Sequence, residues 1–186
     1  VFVDTAPVLE RAWAVEAGLG WIGRNSMLIN REKGSYIFLG VLVINSPLEY
    51  DRPALRDYCG SCRKCVDACP TGAITENRMI DSNKCLSYLT IENKGQIPEE
   101  YAEKTGRRIF GCDICQEVCP WNKKAKETGI EEFGPLPEII DYTTEQWRNI
   151  TKEEFYSVLE NSAVLRAGYE GFMRNLSLAS DIGKNS

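Results

Sequence analysis

All eight cysteines of this chain lie between Cys59 and Cys119, in the order Cys59-x2-Cys62-x2-Cys65-x3-Cys69-Pro70, then Cys85, then Cys112-x2-Cys115-x3-Cys119-Pro120. Thiols this closely spaced favour a metal over disulfides, because bridges between near neighbours are strained and no secretory signal accompanies them. Four thiolates also suit structural zinc, but its paired CxxC knuckles leave the two Cys-Pro endings unexplained. The first run has the C-x2-C-x2-C-x3-C-P spacing of a two-cluster iron-sulfur protein, in which the fourth cysteine ligates the other cluster. Three thiolates at spacing three wrap one cubane face from a single loop, while the fourth is expected to start a helix behind Pro70 and to point away to the second cluster.

By the same logic Cys112, Cys115 and Cys119-Pro120 occupy the last three places of a second bacterial-ferredoxin run whose first place is vacant. Cys85, ahead of a 26-residue insertion, is the remaining candidate to fill it. Cys59, Cys62, Cys65 and Cys119 then hold one 4Fe-4S cluster, and Cys69, Cys85, Cys112 and Cys115 the other. Every cysteine is used once, which leaves no spare thiol for covalent catalysis. The chain has no histidine, so it offers no Ser-His-Asp or Cys-His machinery, no imidazole base and no His-ligated zinc.

The elements that must position these ligands follow from the flanking sequence. With 186 residues, 43% of them hydrophobic, the chain can bury a real core as one large or two small domains. A net charge of -5 argues against non-specific nucleic-acid binding as the main role while leaving room for a local basic patch. The longest apolar run, Tyr36 to Ile44, is too short to cross a bilayer. Val1-Phe2-Val3-Asp4-Thr5-Ala6-Pro7 is not a signal peptide and reads as a cut from a longer chain; Asn175 to Ser180 stops mid-segment and reads as shortened too. Pro7 to Ala17 is expected to be a helix, with Asp4 or Thr5 as N-cap and Gly18 at its stop. Met27 to Asn30 and Tyr36 to Asn45 are expected to form a β-hairpin whose second strand is central and well buried. Between Glu127 and Glu160 stand nine acids and two bases, a solvated stretch with helices at Thr144 to Ile150 and Thr151 to Leu159. Ala163 to Ala179 reads as a helix pair turning near Gly168 and Gly171.

Gly18-Leu19-Gly20-Trp21-Ile22-Gly23 matches G-x-G-x-x-G by letters. A dinucleotide fingerprint must follow a strand and open a helix, whereas here it follows a helix and leads into a strand. A tight connection, or a close approach of backbone amides to a bulky cofactor, remains.

Together, Asp4-Thr5-Ala6-Pro7-Val8-Leu9-Glu10-Arg11, the Ala17 to Ser26 turn, the eight-cysteine pattern with Cys85-Leu86-Ser87-Tyr88-Leu89-Thr90-Ile91-Glu92 and Gly111-Cys112-Asp113-Ile114-Cys115-Gln116, and Cys119-Pro120-Trp121-Asn122 resemble the epoxyqueuosine reductase family. Gly168-Tyr169 and Arg174-Asn175-Leu176 resemble the opening of its C-terminal helical repeats. The resemblance implies an α+β chain: the end of an α/β cobalamin-binding domain (residues 1–50), a ferredoxin-like domain with two 4Fe-4S clusters (51–125), and an acidic connector leading into an α-helical repeat region (126–186). It implies a cytoplasmic, monomeric oxidoreductase of queuosine biosynthesis. Such an enzyme reduces the epoxide of epoxyqueuosine, at the tRNA wobble position, to the alkene of queuosine, with cobalamin as reactive centre and an external electron donor.

By its match to the family's aspartate, Asp4 is the implied acid that protonates the opening oxygen, with burial against the cofactor raising its pKa. Its position alone also suits an N-cap. Gly23, Asn25 and Ser26 are candidate cobalamin contacts from the turn, and Ser87, Phe110 and Gly111 from the loops beside Cys85 and Cys112. Arg107, Arg108, Lys123, Lys124 and Lys126 are candidate phosphate contacts for tRNA. The rivals are a ferredoxin-type electron carrier without substrate chemistry, which predicts no cobalamin, and a corrinoid reductive dehalogenase, which shares the cobalamin and two-cluster plan.

Overall fold

The structure, a computed structural model, describes residues 6–53, 56–137 and 139–181. In chain order it contains helix α1 (Glu10–Glu16), strands β1 (Trp21–Ile22) and β2 (Leu28–Ile29), and helices α2 (Lys64–Ala68), α3 (Leu86–Ile91), α4 (Glu99–Ala102), α5 (Ile114–Glu117), α6 (Thr144–Asn149), α7 (Lys152–Val158) and α8 (Gly168–Asp181). Helices with a small sheet make it an α+β chain. The described residues form two compact units: one runs up to Cys69 and adds Ile74–Ile80 and Ile114–Lys126; the other comprises Pro70–Ala73, Asp81–Asp113 and the chain from Glu127 onward.

In the first unit α1 packs on the antiparallel pair β1 and β2, in which Trp21 faces Ile29 and Ile22 faces Leu28. The helix begins later than its sequence suggests. Its N-cap is Leu9, with no side-chain cap bond; Asp4 and Thr5, expected as caps, lie outside the described residues. Its end is as expected: the Gly18 N–H donates to Val15 O and the Leu19 N–H to Ala14 O, while Gly18 adopts φ +70°, a Schellman turn that favours glycine. The chain then turns at once into β1. Gly20 and Gly23 are required by close packing: a Cβ at Gly20 would lie 2.2 Å from Ile29 O, and one at Gly23 would lie 2.5 Å from Ile29 Cδ1. The glycine turn thus closes a hairpin, and no helix follows it.

The buried second strand expected at Tyr36 to Asn45 is not found. The hairpin forms between Trp21–Ile22 and Leu28–Ile29, and beyond the isolated bridge of Asn30 with Gly34 the chain has no regular structure up to Asn45. Phe38, Leu42 and Val43 are 86%, 92% and 93% exposed. A central strand needs a ladder partner on each edge for its backbone groups, and among the described residues no strand pairs with this one.

In the second unit α8 supplies two cores. Phe172 and Leu176 pack with Ile150, Phe155 and Leu159, each side chain contributing roughly 1.5–3 kcal/mol on burial, while Leu178 packs against Leu86, Leu89, Ile97 and Tyr101. Helices α6 and α7 form where expected because each opens with a capping box, Thr143 with Gln146 and Thr151 with Glu154. The helix pair expected from Ala163 to Ala179 is instead a short 3-10 turn, Ala163–Arg166, followed by the single helix α8. Gly168, at φ +74°, makes the junction, and Gly171 continues the helix because an interior glycine costs only about 1 kcal/mol. No described helix is long and apolar enough to cross a membrane.

Candidate metal centre

Cys59, Cys62 and Cys65 come from one loop that runs into α2, and the short helices carrying the two cysteine runs, α2 and α5, pack together. The Cys62 N–H donates to Cys59 O at 3.0 Å, which folds the loop back on itself. Cys119 closes α5 and caps the turn Pro120–Lys124, with Pro120 at its first position, where the missing N–H costs nothing. These four thiols line one cavity of about 220 Å³, together with Arg24, Asn25, Ile29, Tyr58, Lys64, Pro120 and Trp121.

That cavity is large for a single ion held at metal–sulfur bond length. Among the described residues no group of three or more His, Cys, Asp or Glu side chains closes around one ion. Burial pushes the Cys65 and Cys119 thiols above their ordinary pKa, and the neighbouring Cys59 adds to it, so thiolates form there against a bound cation. Two further observations fit a bulky, negatively charged thiolate cluster. The Trp21 indole N–H donates to Cys59 Sγ at 3.4 Å. Arg24 donates from Nη2 to Gly60 O at 2.8 Å, yet its Nε is buried without a partner among the described residues.

Aromatic rings surround the cavity: Tyr58 and Trp121 line it, and Trp21 packs against both. Trp21, Tyr58 and Trp121 contact one another with ring centroids 5.0–5.8 Å apart, mostly edge to face, and pack with Ile29, Cys59 and Cys119. Two polar networks hold this wall to the ligand loops. In one, Asp57 accepts the Cys59 N–H at 2.8 Å and pairs with Arg78, which also donates to Ile22 O at 2.7 Å. Burial pushes the Asp57 carboxyl up, but the Arg78 bond, the Cys59 N–H and the Arg78 charge together outweigh it and hold the carboxyl below its ordinary value. In the other, Asn122 accepts the Ser35 N–H at 2.7 Å and donates to Gln116 O at 2.8 Å, while Ser35 Oγ lies 2.8 Å from Gln116 Oε1.

Of the remaining cysteines, Cys69 ends α2 rather than starting a helix behind Pro70, since the chain turns at Pro70 and Thr71 without a following helix, and Cys115 lies within α5, both in the first unit. Cys85 and Cys112 belong to the second, where Cys85 is the N-cap residue of α3. There Thr90, on α3, donates to Leu86 O at 2.7 Å and receives the Gly111 N–H at 3.0 Å. Asn175, on α8 and 1% exposed, donates to Thr90 O and Ile109 O, both at 2.8 Å. Thr90 and Asn175 together fasten the segment leading to Cys112 onto the helix that starts at Cys85.

Asp4 lies outside the described residues. Asn25 is 1% exposed; its Oδ1 accepts the Met27 N–H at 3.3 Å and its Nδ2 makes a long, 3.5 Å bond to Cys115 O. Gly23 bonds through its N–H to Met27 O, and Ser26, at φ +61°, donates its hydroxyl to Arg78 O. The structure thus gives these three turn residues partners within the chain. Ser87, Phe110 and Gly111 are half-buried in the second unit. Arg107, Lys123, Lys124 and Lys126 are exposed and Arg108 is half-buried. Sequence reasoning gave no role to Tyr58 or Arg78, and it singled out Trp21, Thr90, Asn122 and Asn175 only as parts of the motifs that resemble the family, not for the bonds they make here.

A family described as a 4Fe-4S double cluster binding domain matches residues 58–122. A protein from Cyclobacterium marinum named epoxyqueuosine reductase is 53% identical over 176 residues, covering 95% of this chain and 56% of that protein. One of the same name from Escherichia coli is 46% identical over 183 residues, covering 96% and 47%. Among solved structures, a crystal structure of epoxyqueuosine reductase with an epoxyqueuosine-modified tRNA-Tyr stem loop superposes with a TM-score of 0.87 at 40% identity, covering 96% of this chain and 47% of that one. A Bacillus subtilis epoxyqueuosine reductase, described with its aspartate catalytic loop swung out of the active site, gives 0.84 at 40% identity over 91% and 45%. The chain spans about half the length of the curated relatives it matches, and over nearly all of its own length it is similar in sequence and in fold to epoxyqueuosine reductases.

Proposed function

We propose that this chain is the cluster-bearing part, with an adjoining portion of the cofactor domain, of an enzyme that reduces the epoxide of epoxyqueuosine in tRNA to the alkene of queuosine. The observation that carries this is the cavity lined by Cys59, Cys62, Cys65 and Cys119 inside a chain 53% identical to a relative of that name. These four hold one 4Fe-4S cluster, and Cys69, Cys85, Cys112 and Cys115 hold the other.

Converting an epoxide to an alkene takes two electrons and two protons and releases water. When bound, the clusters relay single electrons and a cobalamin supplies a low-valent cobalt, chemistry that no side chain replaces. The chain's residues do the rest. The eight cysteines fix the clusters, and the rings of Trp21, Tyr58 and Trp121 keep water from the first of them. Asp4 holds the proton that the opening oxygen needs. Gly23, Asn25 and Ser26, with Ser87, Phe110 and Gly111, border the cobalamin; Asn25 does so by holding the turn rather than by offering its engaged amide. Arg107, Arg108, Lys123, Lys124 and Lys126 contact tRNA phosphates.

The test is a chimera in which this chain replaces the matching segment of the Escherichia coli relative, in cells lacking that relative. Nucleoside analysis of tRNA is expected to show queuosine. Asp4→Asn, with clusters and cobalamin retained, is expected to leave epoxyqueuosine unreduced. A chimera that carries its clusters but forms no queuosine would leave an electron carrier without substrate chemistry.

A further inference from the structure

Around the Cys59 cavity stand two hydrogen-bond donors that holding a cluster does not require, one on a residue packed against Cys59 and one on a lining residue. One is the Trp21 indole N–H, 3.4 Å from Cys59 Sγ on a side chain 4% exposed. The other is Arg24 Nε, on a residue that lines the cavity; this nitrogen is buried and has no partner among the described residues although Nη2 of the same guanidinium is bonded to Gly60 O. A buried N–H left unpaired costs free energy, and the acceptors such a cavity brings are thiolate and sulfide sulfurs. Lys64 and Arg24 put two cations on that wall.

We propose that Arg24 and Trp21 set the reduction potential of the cluster held by Cys59, Cys62, Cys65 and Cys119, raising it by donating to its sulfurs. This rests on the ligand assignment above. A cluster with four thiolates is an anion, and reduction adds one more negative charge without making or breaking a bond. N–H donors and nearby positive charge therefore stabilise the reduced form more than the oxidised form, since charge-assisted bonds strengthen with the charge they meet. The Trp21 bond acts on one ligand sulfur, and the Arg24 Nε and charge act on the cluster as a whole.

The test is an anaerobic dithionite titration of the reconstituted chain, followed by electron paramagnetic resonance so that two midpoints are read, with iron and sulfide counted in every sample. Trp21→Phe keeps a ring against Tyr58 and Trp121 and removes the N–H. Arg24→Lys keeps the charge without the Nε donor, and Arg24→Gln removes both. With full cluster content, Trp21→Phe and Arg24→Gln are each expected to lower the reduced fraction at fixed potential by about tenfold, which is ~59 mV for a one-electron couple, with Arg24→Lys in between. The midpoint that moves is the one that Cys59→Ser also moves, and the other stays. Unmoved midpoints in fully loaded variants overturn the proposal and leave the ligand assignment standing. A shift confined to the midpoint that Cys59→Ser leaves alone overturns it too, because the donors then face the other cluster. A wild-type chain that takes up no cluster overturns the ligand assignment and the proposal together.

Discussion

Replacing Asn175 with leucine keeps the side chain's approximate size and removes every hydrogen bond it makes. In the native chain its Nδ2 satisfies the carbonyls of Thr90 and Ile109 at 2.8 Å each, and its Oδ1 accepts from Arg174 Nε at 3.0 Å and Nη2 at 2.8 Å. Arg174 keeps the carbonyls of Leu89, Asn93 and Gly95, so its loss is partial. The Thr90 carbonyl, on a residue with 0% exposure, and the half-buried Ile109 carbonyl are orphaned, at about 1–3 kcal/mol each. Asn175→Leu should therefore cost about 2–6 kcal/mol, a large share of the roughly 5–15 kcal/mol that holds a domain together. Asn175→Ala should sit near the lower end, because its cavity admits a water that can pair the carbonyls. Urea denaturation under anaerobic conditions reads the difference: with a slope of about 2 kcal/mol per molar, the Asn175→Leu midpoint falls by about 1–3 M. Since Ile109 leads into Cys112, iron content should drop toward one cluster before the chain unfolds. An Asn175→Leu chain within ~0.5 kcal/mol of the native one would refute the reasoning.

Two further outcomes can be checked on the same material. Leu42→Asn and Val43→Asn change the chain's stability by less than ~0.5 kcal/mol, because both side chains are already exposed; a loss of about 2 kcal/mol in a denaturation curve would mean that this run is a buried strand after all. The Glu154 carboxyl is held below its ordinary value by the Thr151 N–H and then by the Thr151 hydroxyl. A depressed carboxyl stabilises the fold fully above its unfolded pKa of about 4.3, and that contribution disappears as pH falls through the lower folded value. Glu154→Gln, which keeps the cap and cannot titrate, should therefore show a weaker fall in denaturation midpoint below about pH 5 than the native chain, and identical slopes in the two would contradict this.

What the sequence made legible divides along physical lines. The candidate ligands could be read from spacing, because three thiolates on one loop suit a cubane at such intervals, and the structure brings Cys59, Cys62, Cys65 and Cys119 to one cavity. The stop of α1 at Gly18 and the starts of α6 and α7 could be read too, since their signals lie within a few residues of the event. That residues 36–45 form no strand could not be read: an apolar, β-branched run states that it can be buried, but whether it pairs depends on partners far away in the chain. For the same reason no local pattern marks Trp21 as the donor to Cys59 Sγ, or Asn175 as the bridge between Thr90 and Ile109, 85 and 66 residues earlier. The G-x-G-x-x-G letters illustrate the point, for their glycines answer to Ile29 and Asn25, which pack against them.

The central claim, that the eight cysteines hold two cubane clusters, is tested most directly by anaerobic reconstitution of the chain with iron and sulfide, with zinc supplied in competition. The account predicts about eight iron and eight sulfide per chain, and a loss of about four of each in Cys59→Ala and, separately, in Cys85→Ala. Zinc retained without sulfide, or no more than four iron in the native chain, would contradict it.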